Sequence, residues 1–336
     1  MSVDVAALAA GLRAGHRVAL ARAVTLVESL REDDRARALA LLQAVGPQAP
    51  SGTPDGAGDS HRIGISGPPG VGKSTIIDAL GMAWLAAGHR VAVLAIDPSS
   101  ARTGGSILGD KTRMAKLARE PSAFIRPSPA QGVLGGVAAR TAEVMRLCEA
   151  AGFDIVIVET VGVGQSEADV ADLVDTLVVL VAAGGGDELQ GIKRGLLECT
   201  DVVVVPKADG DNVHAAARTR GEYAQALAYI EPRHAGWTVP MLECSALEHR
   251  GIEGVIAAVA EHRALLHASG QWDRQRAAQR LRWTEVALLA AVRRAVLGDP
   301  RVREGLRARG AAIGAGTLAP EAAAAELLTA FRRPGA

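Results

Sequence analysis

Aromatic side chains are scarce, 3% of the 336 residues. A base-stacking platform for single-stranded nucleic acid depends on them, so that class of surface is not expected. Cysteine is nearly missing: Cys148, Cys199 and Cys244 stand isolated and far apart. They form neither a metal-type pair nor a disulfide framework, which points to a reducing compartment. Net charge is also lacking. The 37 basic and 37 acidic residues cancel, and overall charge therefore offers nothing to nucleic acid or to an anionic membrane surface. No apolar run approaches a membrane span. The best one, Thr176 to Gly186, has the length of a buried strand. The N-terminus carries Asp4 and no basic start, a poor secretory signal. Its lack of acidic residues between Asp4 and Glu28 faintly resembles an organellar transit peptide. However, Leu8, Leu12 and later apolar positions recur at helical spacing. A surface helix in a cytoplasmic protein is the expectation.

The informative feature that is present is Gly67-Pro68-Pro69-Gly70-Val71-Gly72-Lys73-Ser74. It matches G-x-x-x-x-G-K-[ST], the phosphate-binding loop of NTPases. Glycines let the backbone fold closely around a di- or triphosphate, so that several N–H groups point inward. The following helix adds its positive end. Lys73 can reach the β- and γ-phosphates, and the Ser74 hydroxyl can serve Mg²⁺. The context fits: Arg62 to Ile65 reads as the preceding strand, and Thr75 to Trp84 as the following helix.

An apolar fraction of 49% is enough for a sizeable core, in one α/β domain with appendages or in two domains. Residues 1–46 read as two amphipathic helices broken near Arg31 to Asp34, followed by a polar linker from Gly46 to Ser60. Strands are expected at 62–66, 91–96, 154–158, 176–182, 201–205 and 238–242. Their continuous apolar character, as in Val202 to Val205, suits a mostly parallel sheet buried on both faces. Helices fill the gaps in the doubly wound, three-layer pattern. From about 254 the chain turns helical, with segments near 254–268, 272–297, 300–309 and 317–332. The expected division is an N-terminal helical extension and linker over 1–59, a phosphate-loop domain over 60–262 and a C-terminal helical region over 263–336. The arginine-rich tail, Arg274 to Arg333, reads as a solvated helix surface because acidic residues are interspersed. Trp272 and Trp283 suit either a core or an oligomer interface.

Four further segments bear on the nucleotide. The second predicted strand runs into Asp97-Pro98-Ser99-Ser100. A carboxylate there can hold a Mg²⁺ water or orient the attacking water. The glycines between Arg102 and Asp110 suit a segment that changes shape around a γ-phosphate. The third predicted strand ends in Glu159-Thr160-Val161-Gly162. Its acid would reach Mg²⁺ through water, and the Gly162 N–H would report the γ-phosphate. Val163 follows, where small Ras-like GTPases keep a water-positioning glutamine, so intrinsic hydrolysis should be slow or use another group. The fifth predicted strand ends in Pro206-Lys207-Ala208-Asp209, where GTPases carry N-K-x-D. Asp209 can accept from guanine N1–H and the 2-amino group. That contact is worth about 1.5–3 kcal/mol and adenine lacks the donors for it. Lys207 would lay its stem over the base. Pro206 has no side-chain amide with which to bond the base or brace the loop. Ser245-Ala246, after the sixth predicted strand, matches the short S-A element whose backbone N–H meets guanine O6.

Together these segments resemble the MeaB/ArgK family, GTPase chaperones of adenosylcobalamin-dependent acyl-CoA mutases. The matching text is GISGPPGVGKSTIIDALG, VLAIDPSSARTGGSILGDKTRM, VIVETVGVGQSE and GDELQGIKRG, and it covers roughly residues 60–255. The resemblance implies a homodimeric G protein that dimerises through C-terminal helices. It implies Mg²⁺-GTP held by Lys73, Ser74, Asp97, Asp110 and Glu159, with Thr75 closing the phosphate loop. It also implies a third switch over Gly184 to Gln190, including Asp187 and Glu188, and continuing to Lys193. In the family this switch links nucleotide state to the mutase and brings hydrolytic groups to the phosphate. The implied role is to gate cofactor transfer from an adenosyltransferase to the apo-mutase and to help eject damaged cofactor. No nucleic-acid or membrane partner is expected.

Three other readings compete. A metal-insertion GTPase of the hydrogenase or urease type needs a His- or Cys-rich site, whereas the eight histidines here are scattered. A kinase of the ArgK type needs an acceptor pocket and a preference for ATP, against which Asp209 argues. A purely structural nucleotide-binding protein would show no turnover. Methylmalonyl-, ethylmalonyl-, isobutyryl- and 2-hydroxyisobutyryl-CoA mutases are all possible clients.

Overall fold

Seven parallel strands build the centre of the molecule, in the spatial order β3-β2-β4-β1-β5-β6-β7. They are β1 His61–Ser66, β2 Val91–Asp97, β3 Ala123–Pro129, β4 Ile155–Thr160, β5 Thr176–Leu180, β6 Val202–Val205 and β7 Met241–Glu243. The computed structural model describes residues 4–29, 31–46, 60–97, 114–129, 136–160, 170–184 and 194–332. Every strand pairing is parallel. Strands β1, β4, β5 and β6 are buried along their whole length, as their unbroken apolar sequences require.

One strand departs from the expected six. It is β3, so the strand ending at Glu159 and Thr160 is the fourth and the one ending at Val205 the sixth. The β3 sequence, AFIRPSP, holds Arg126, Pro127 and Pro129. Those residues argue against an interior strand, but β3 lies at the sheet edge and pairs only with β2, where proline is tolerated.

The helices that cover the sheet are α4 Lys73–Ala86, α5 Gly136–Ala150, the short α6 Arg194–Leu197, α7 Val213–Leu227 and α8 Ile252–Ala268. Three helices precede them, α1 Val5–Arg13, α2 Arg17–Glu28 and α3 Glu32–Val45. Two helices were expected over residues 1–46. The break between α2 and α3 falls where it was read, but the first expected helix is itself divided at Ala14-Gly15-His16. Gly15 adopts a left-handed φ of 72° there and ends α1. The N-terminal helices dock on α5 through an ion pair and hydrogen bonds. Arg35 grips Glu143 at 2.5 Å, and Arg146 donates to the Leu42 and Gly46 carbonyls. On one face of the sheet, α4 and α8 close the main core. Ile76, Ile77, Leu80, Val255 and Val259 pack there against Ile63, Ile65, Val178 and Val204.

Three helices follow: α9 Gln271–Gly298, α10 Pro300–Gly314 and α11 Pro320–Arg332. The chain forms two compact units, residues 1–280 and 281–336, with α9 contributing to both. In the first unit, the start of α9 is fixed to the amino-terminal edge of the sheet by a buried polar cluster. Arg276 donates to Asp175 at 2.6 Å and to the Ser60 carbonyl at 2.7 Å, and Gln279 donates to the Val174 carbonyl at 2.8 Å. Arg62 donates to both oxygens of Glu149, at 2.7 and 3.0 Å. Burial alone would raise Glu149, but the charge and hydrogen bonds of Arg62, with Arg276 and Ser60, hold it below the usual carboxylate range. Trp272 is buried here, stacked on His267 at 4.3 Å with Arg276 above its ring, which settles its role as core. Trp283, in the second unit, is half-buried. In that second unit α10 packs on α11. Gly305 lies so close to Leu327 that a Cβ there would stand 2.4 Å from it. Arg301 pairs with Asp299 and Arg309 with Glu326, consistent with a solvated basic surface. Among the described residues no helix is long and apolar enough to cross a membrane.

Candidate functional site

The strands β1, β4, β5, β6 and β7 end together at the carboxyl edge of the sheet, and the phosphate loop leaves the central strand β1 there. The neighbours of β1 are β4 on one side and β5 on the other, so the loop sits where the chain's winding reverses. Crevices of this kind are where open α/β sheets receive ligands.

Within Gly67 to Ser74, all three glycines have a positive φ, Gly70 at 79°. Gly67 has φ 151°, and a Cβ on it would stand 2.5 Å from the Leu180 carbonyl oxygen. Gly72 caps α4 in a left-handed conformation at φ 109°. Pro68, Pro69 and Gly70 form the outer arc, half-buried to exposed, while Val71 plugs into the core at 4% exposure. Lys73 and Ser74 begin α4, with exposed Thr75 after them. Lys73 is buried and curls back, its Nζ donating to the Gly67 carbonyl at 2.7 Å and the Pro68 carbonyl at 3.1 Å. The ammonium therefore lies inside the arc of the loop, where an anion would take the place of those carbonyls.

The Ser74 hydroxyl donates to Glu159 Oε1 at 3.0 Å. Glu159 is 6% exposed on β4, in register with Ile65 of β1 and Ala95 of β2. A hydroxyl and a buried carboxylate side by side are hard oxygen donors of the type Mg²⁺ prefers. Asp97 ends β2 at the same edge, with β4 standing between β2 and β1. Its side chain lies outside the described residues, as do Asp110, Gly162, Val163, Asp187, Glu188, Gln190 and Lys193.

The base-side segments also converge. The Ser245 hydroxyl donates to Asp209 Oδ2, and the Glu248 amide donates back to Ser245 Oγ at 3.1 Å. Ser245 is fully buried and exchanges backbone hydrogen bonds with Arg250 at 2.8 and 3.0 Å. Its amide is thereby occupied, whereas the Ala246 N–H makes no hydrogen bond among the described residues. Arg250 also donates to the Ala208 carbonyl, stitching the two base-side loops together. Next to them, burial pushes the Cys244 thiol up to about 12, with the Asp209 charge adding to it, so this thiol is not a nucleophile.

One role was not read from the sequence. Pro206 is buried and cannot brace the phosphate loop, but Lys207 does so. Lys207 takes a left-handed φ of 59° and sends Nζ to the Gly70 carbonyl at 2.7 Å, and its Cε passes over Gly72. A non-glycine residue in that conformation is strained, and the bond to the loop helps offset the cost. The one available signal was the lysine itself, at a fixed place after β6.

Residues 20–300 match the family described as "Methylmalonyl Co-A mutase-associated GTPase MeaB". The chain belongs to the MeaB family. A probable GTPase of Mycobacterium tuberculosis is 50% identical over 321 residues, covering 96% of this chain and 93% of that protein. The mouse protein "Methylmalonic aciduria type A homolog, mitochondrial" is 43% identical over 324 residues, covering 96% and 78%. A crystal structure titled "LAO/AO transport system kinase" superposes with a TM-score of 0.73 at 36% identity, covering 99% of this chain and all of that one. The MeaB-family chain is thus a phosphate-loop GTPase that binds guanine nucleotide.

Proposed function

We propose that this MeaB-family GTPase is a chaperone of an adenosylcobalamin-dependent acyl-CoA mutase, gating cofactor loading and protecting or reactivating the mutase. The family's description as mutase-associated carries the reading, and the mouse relative's name supports it. Guanine selection rests on Asp209, held by Ser245, and on the Ala246 amide, which makes no hydrogen bond among the described residues. A carboxylate in that place favours guanine over adenine, which sets this reading ahead of a phosphate-loop kinase.

In this mechanism, Lys73 exchanges the Gly67 and Pro68 carbonyls for the β- and γ-phosphates. Ser74 and Glu159 would hold Mg²⁺, joined by Asp97 and Asp110. When bound, the ion supplies charge neutralisation on the phosphates. Lys207 keeps the outer arc of the loop in shape through Gly70. Val163 cannot orient water, so a partner is needed to complete the site. Asp187, Glu188, Gln190 and Lys193 form the switch that the mutase sets over the γ-phosphate, and Lys193 then neutralises transition-state charge much as an arginine finger does. The working assembly is a homodimer in the cytoplasm, with an adenosyltransferase upstream in the same pathway.

The test is steady-state phosphate release with and without each candidate apo-mutase. The correct client accelerates hydrolysis, and Lys193→Ala removes most of that acceleration while GTP binding persists. A Lys193→Ala protein stimulated as strongly as wild type refutes the switch role, and failure of every acyl-CoA mutase to stimulate refutes the chaperone role.

A further inference from the structure

At the edge of the sheet opposite the phosphate loop, three side chains distant in sequence meet. Asp201 immediately precedes β6, His234 follows α7, and His262 lies on α8. Their exposures are 0%, 5% and 0%. Asp201 Oδ1 lies 2.9 Å from His234 Nδ1, which lies 3.0 Å from His262 Nε2, which returns to Asp201 Oδ1 at 3.4 Å. Two imidazole nitrogens and a carboxylate oxygen thus form a closed triangle. Its edges of 2.9, 3.0 and 3.4 Å come near one face of a tetrahedral ion's ligand set, where bonds of about 2.0–2.1 Å keep ligand atoms about 3.3 Å apart.

The protons support an ion at this triangle. Without one, a single proton on His234 Nδ1 or on His262 Nε2 must be shared between the other two atoms of the triangle, or two N–H groups must face each other across 3.0 Å. With an ion, both facing nitrogens and the carboxylate oxygen can ligate it unprotonated, and the proton on the far nitrogen of His262 has an acceptor. His262 Nδ1–H donates to Thr176 Oγ1 at 2.8 Å, and the Thr176 hydroxyl donates to His61 Nε2 at 2.8 Å. The second oxygen of Asp201 accepts the Leu177 amide at 2.8 Å. A ligand histidine steadied through its other nitrogen and a carboxylate steadied by backbone are the supports that metal sites use.

We propose that Asp201, His234 and His262 bind one divalent transition-metal ion, zinc by their donor set, with a further position for water. The site is structural. It ties α8 and the loop at His234 to the first residues of β5 and β6, at the far end of the strands from the nucleotide. Hard oxygen donors at Ser74 and Glu159 suit a different ion, so the two sites are separable by metal.

The test uses the full-length chain, untagged and free of nucleotide and Mg²⁺. Metal content is measured by mass spectrometry as purified, and again after unfolding with chelator and refolding with Zn²⁺ followed by dialysis. The expected result is about one zinc per chain, and Co²⁺ in its place gives the visible bands of a low-coordinate nitrogen–oxygen site. His262→Gln and His234→Asn, checked for folding by circular dichroism, should bind zinc at least about tenfold more weakly, and zinc should raise the wild-type Tm but not theirs. Wild-type protein that holds no zinc by either route overturns the proposal without reference to the variants. Zinc binding that survives in both variants overturns it as well.

Discussion

Asp209 is the residue on which the proposed nucleotide choice turns. Its Oδ2 accepts the Ser245 hydroxyl, which holds the carboxylate in place. Replacing it by asparagine keeps the shape but offers a donor where guanine also donates. Losing a charge-assisted contact of about 1.5–3 kcal/mol should weaken GTP by about ten- to a hundredfold. XTP should gain, because the xanthine 2-oxo group accepts. Competition of GTP, XTP and ATP for Asp209→Asn measures this, and unchanged GTP affinity would contradict the assignment. At this scale the phosphate loop was legible because each of its residue types answers to one physical demand. Gly67 and Gly72 take backbone shapes that a Cβ would obstruct or strain, and Lys73 and Ser74 open α4. The brace from Lys207 to Gly70 was not legible, since nothing local says which carbonyl a four-carbon stem will reach. The histidine triangle was hidden for the same reason. Residues 201, 234 and 262 are scattered along the chain and meet only after β6 and α8 pack.

Among the elements, the anchor of α9 makes a prediction about acid and about one arginine. Arg276 is 9% exposed and its partner Asp175 fully buried. Arg276→Ala would strand a buried carboxylate and should destabilise the first unit by about 3 kcal/mol, the low end for breaking a buried pair. Denaturant unfolding followed at the tryptophans would read this, and a loss under about 1 kcal/mol would show that the pair is not structural. Glu149 in the same cluster sets the acid limit. Its folded pKa lies below the ordinary glutamate value of about 4.3, so its stabilisation is complete above that pH and fades as pH falls through the folded value. Stability should therefore drop on acidification below about pH 4.3, and Glu149→Gln should flatten that limb. Six of the seven strands were legible because a strand buried on both faces must be apolar throughout. The edge strand β3 escaped because an edge accepts proline and arginine, which erases the pattern. The division of α1 from α2 turned on Gly15, a residue that helices also carry internally, and its left-handed backbone is not visible in composition.

For the whole molecule, the exposed apolar side chains of the second unit call for a partner. Beyond Arg280, α9 exposes Leu281 at 70%, Leu288 at 60%, Leu289 at 69% and Val292 at 51%. Their spacing of seven, eight and eleven residues puts them on one helical stripe. Water-exposed leucines in a continuous stripe are costly to leave uncovered and mark an association surface. A second copy of the chain is the partner that the homodimer proposal calls for. An antiparallel or parallel pairing of two such stripes would be self-complementary, as a two-fold interface demands. Each leucine buried at its centre should contribute about 1.5–3 kcal/mol. Leu288→Glu with Leu289→Glu should then shift the protein from dimer to monomer at micromolar concentration in sedimentation velocity. The residues proposed for the guanine site, Lys73, Asp209 and Ser245, belong to the other unit, so GTP affinity should be unchanged. If the double variant sediments as wild type does, α9 is not the dimer surface. A wild-type protein that is monomeric at every concentration removes the homodimer itself, and the leucine stripe must then meet a different chain.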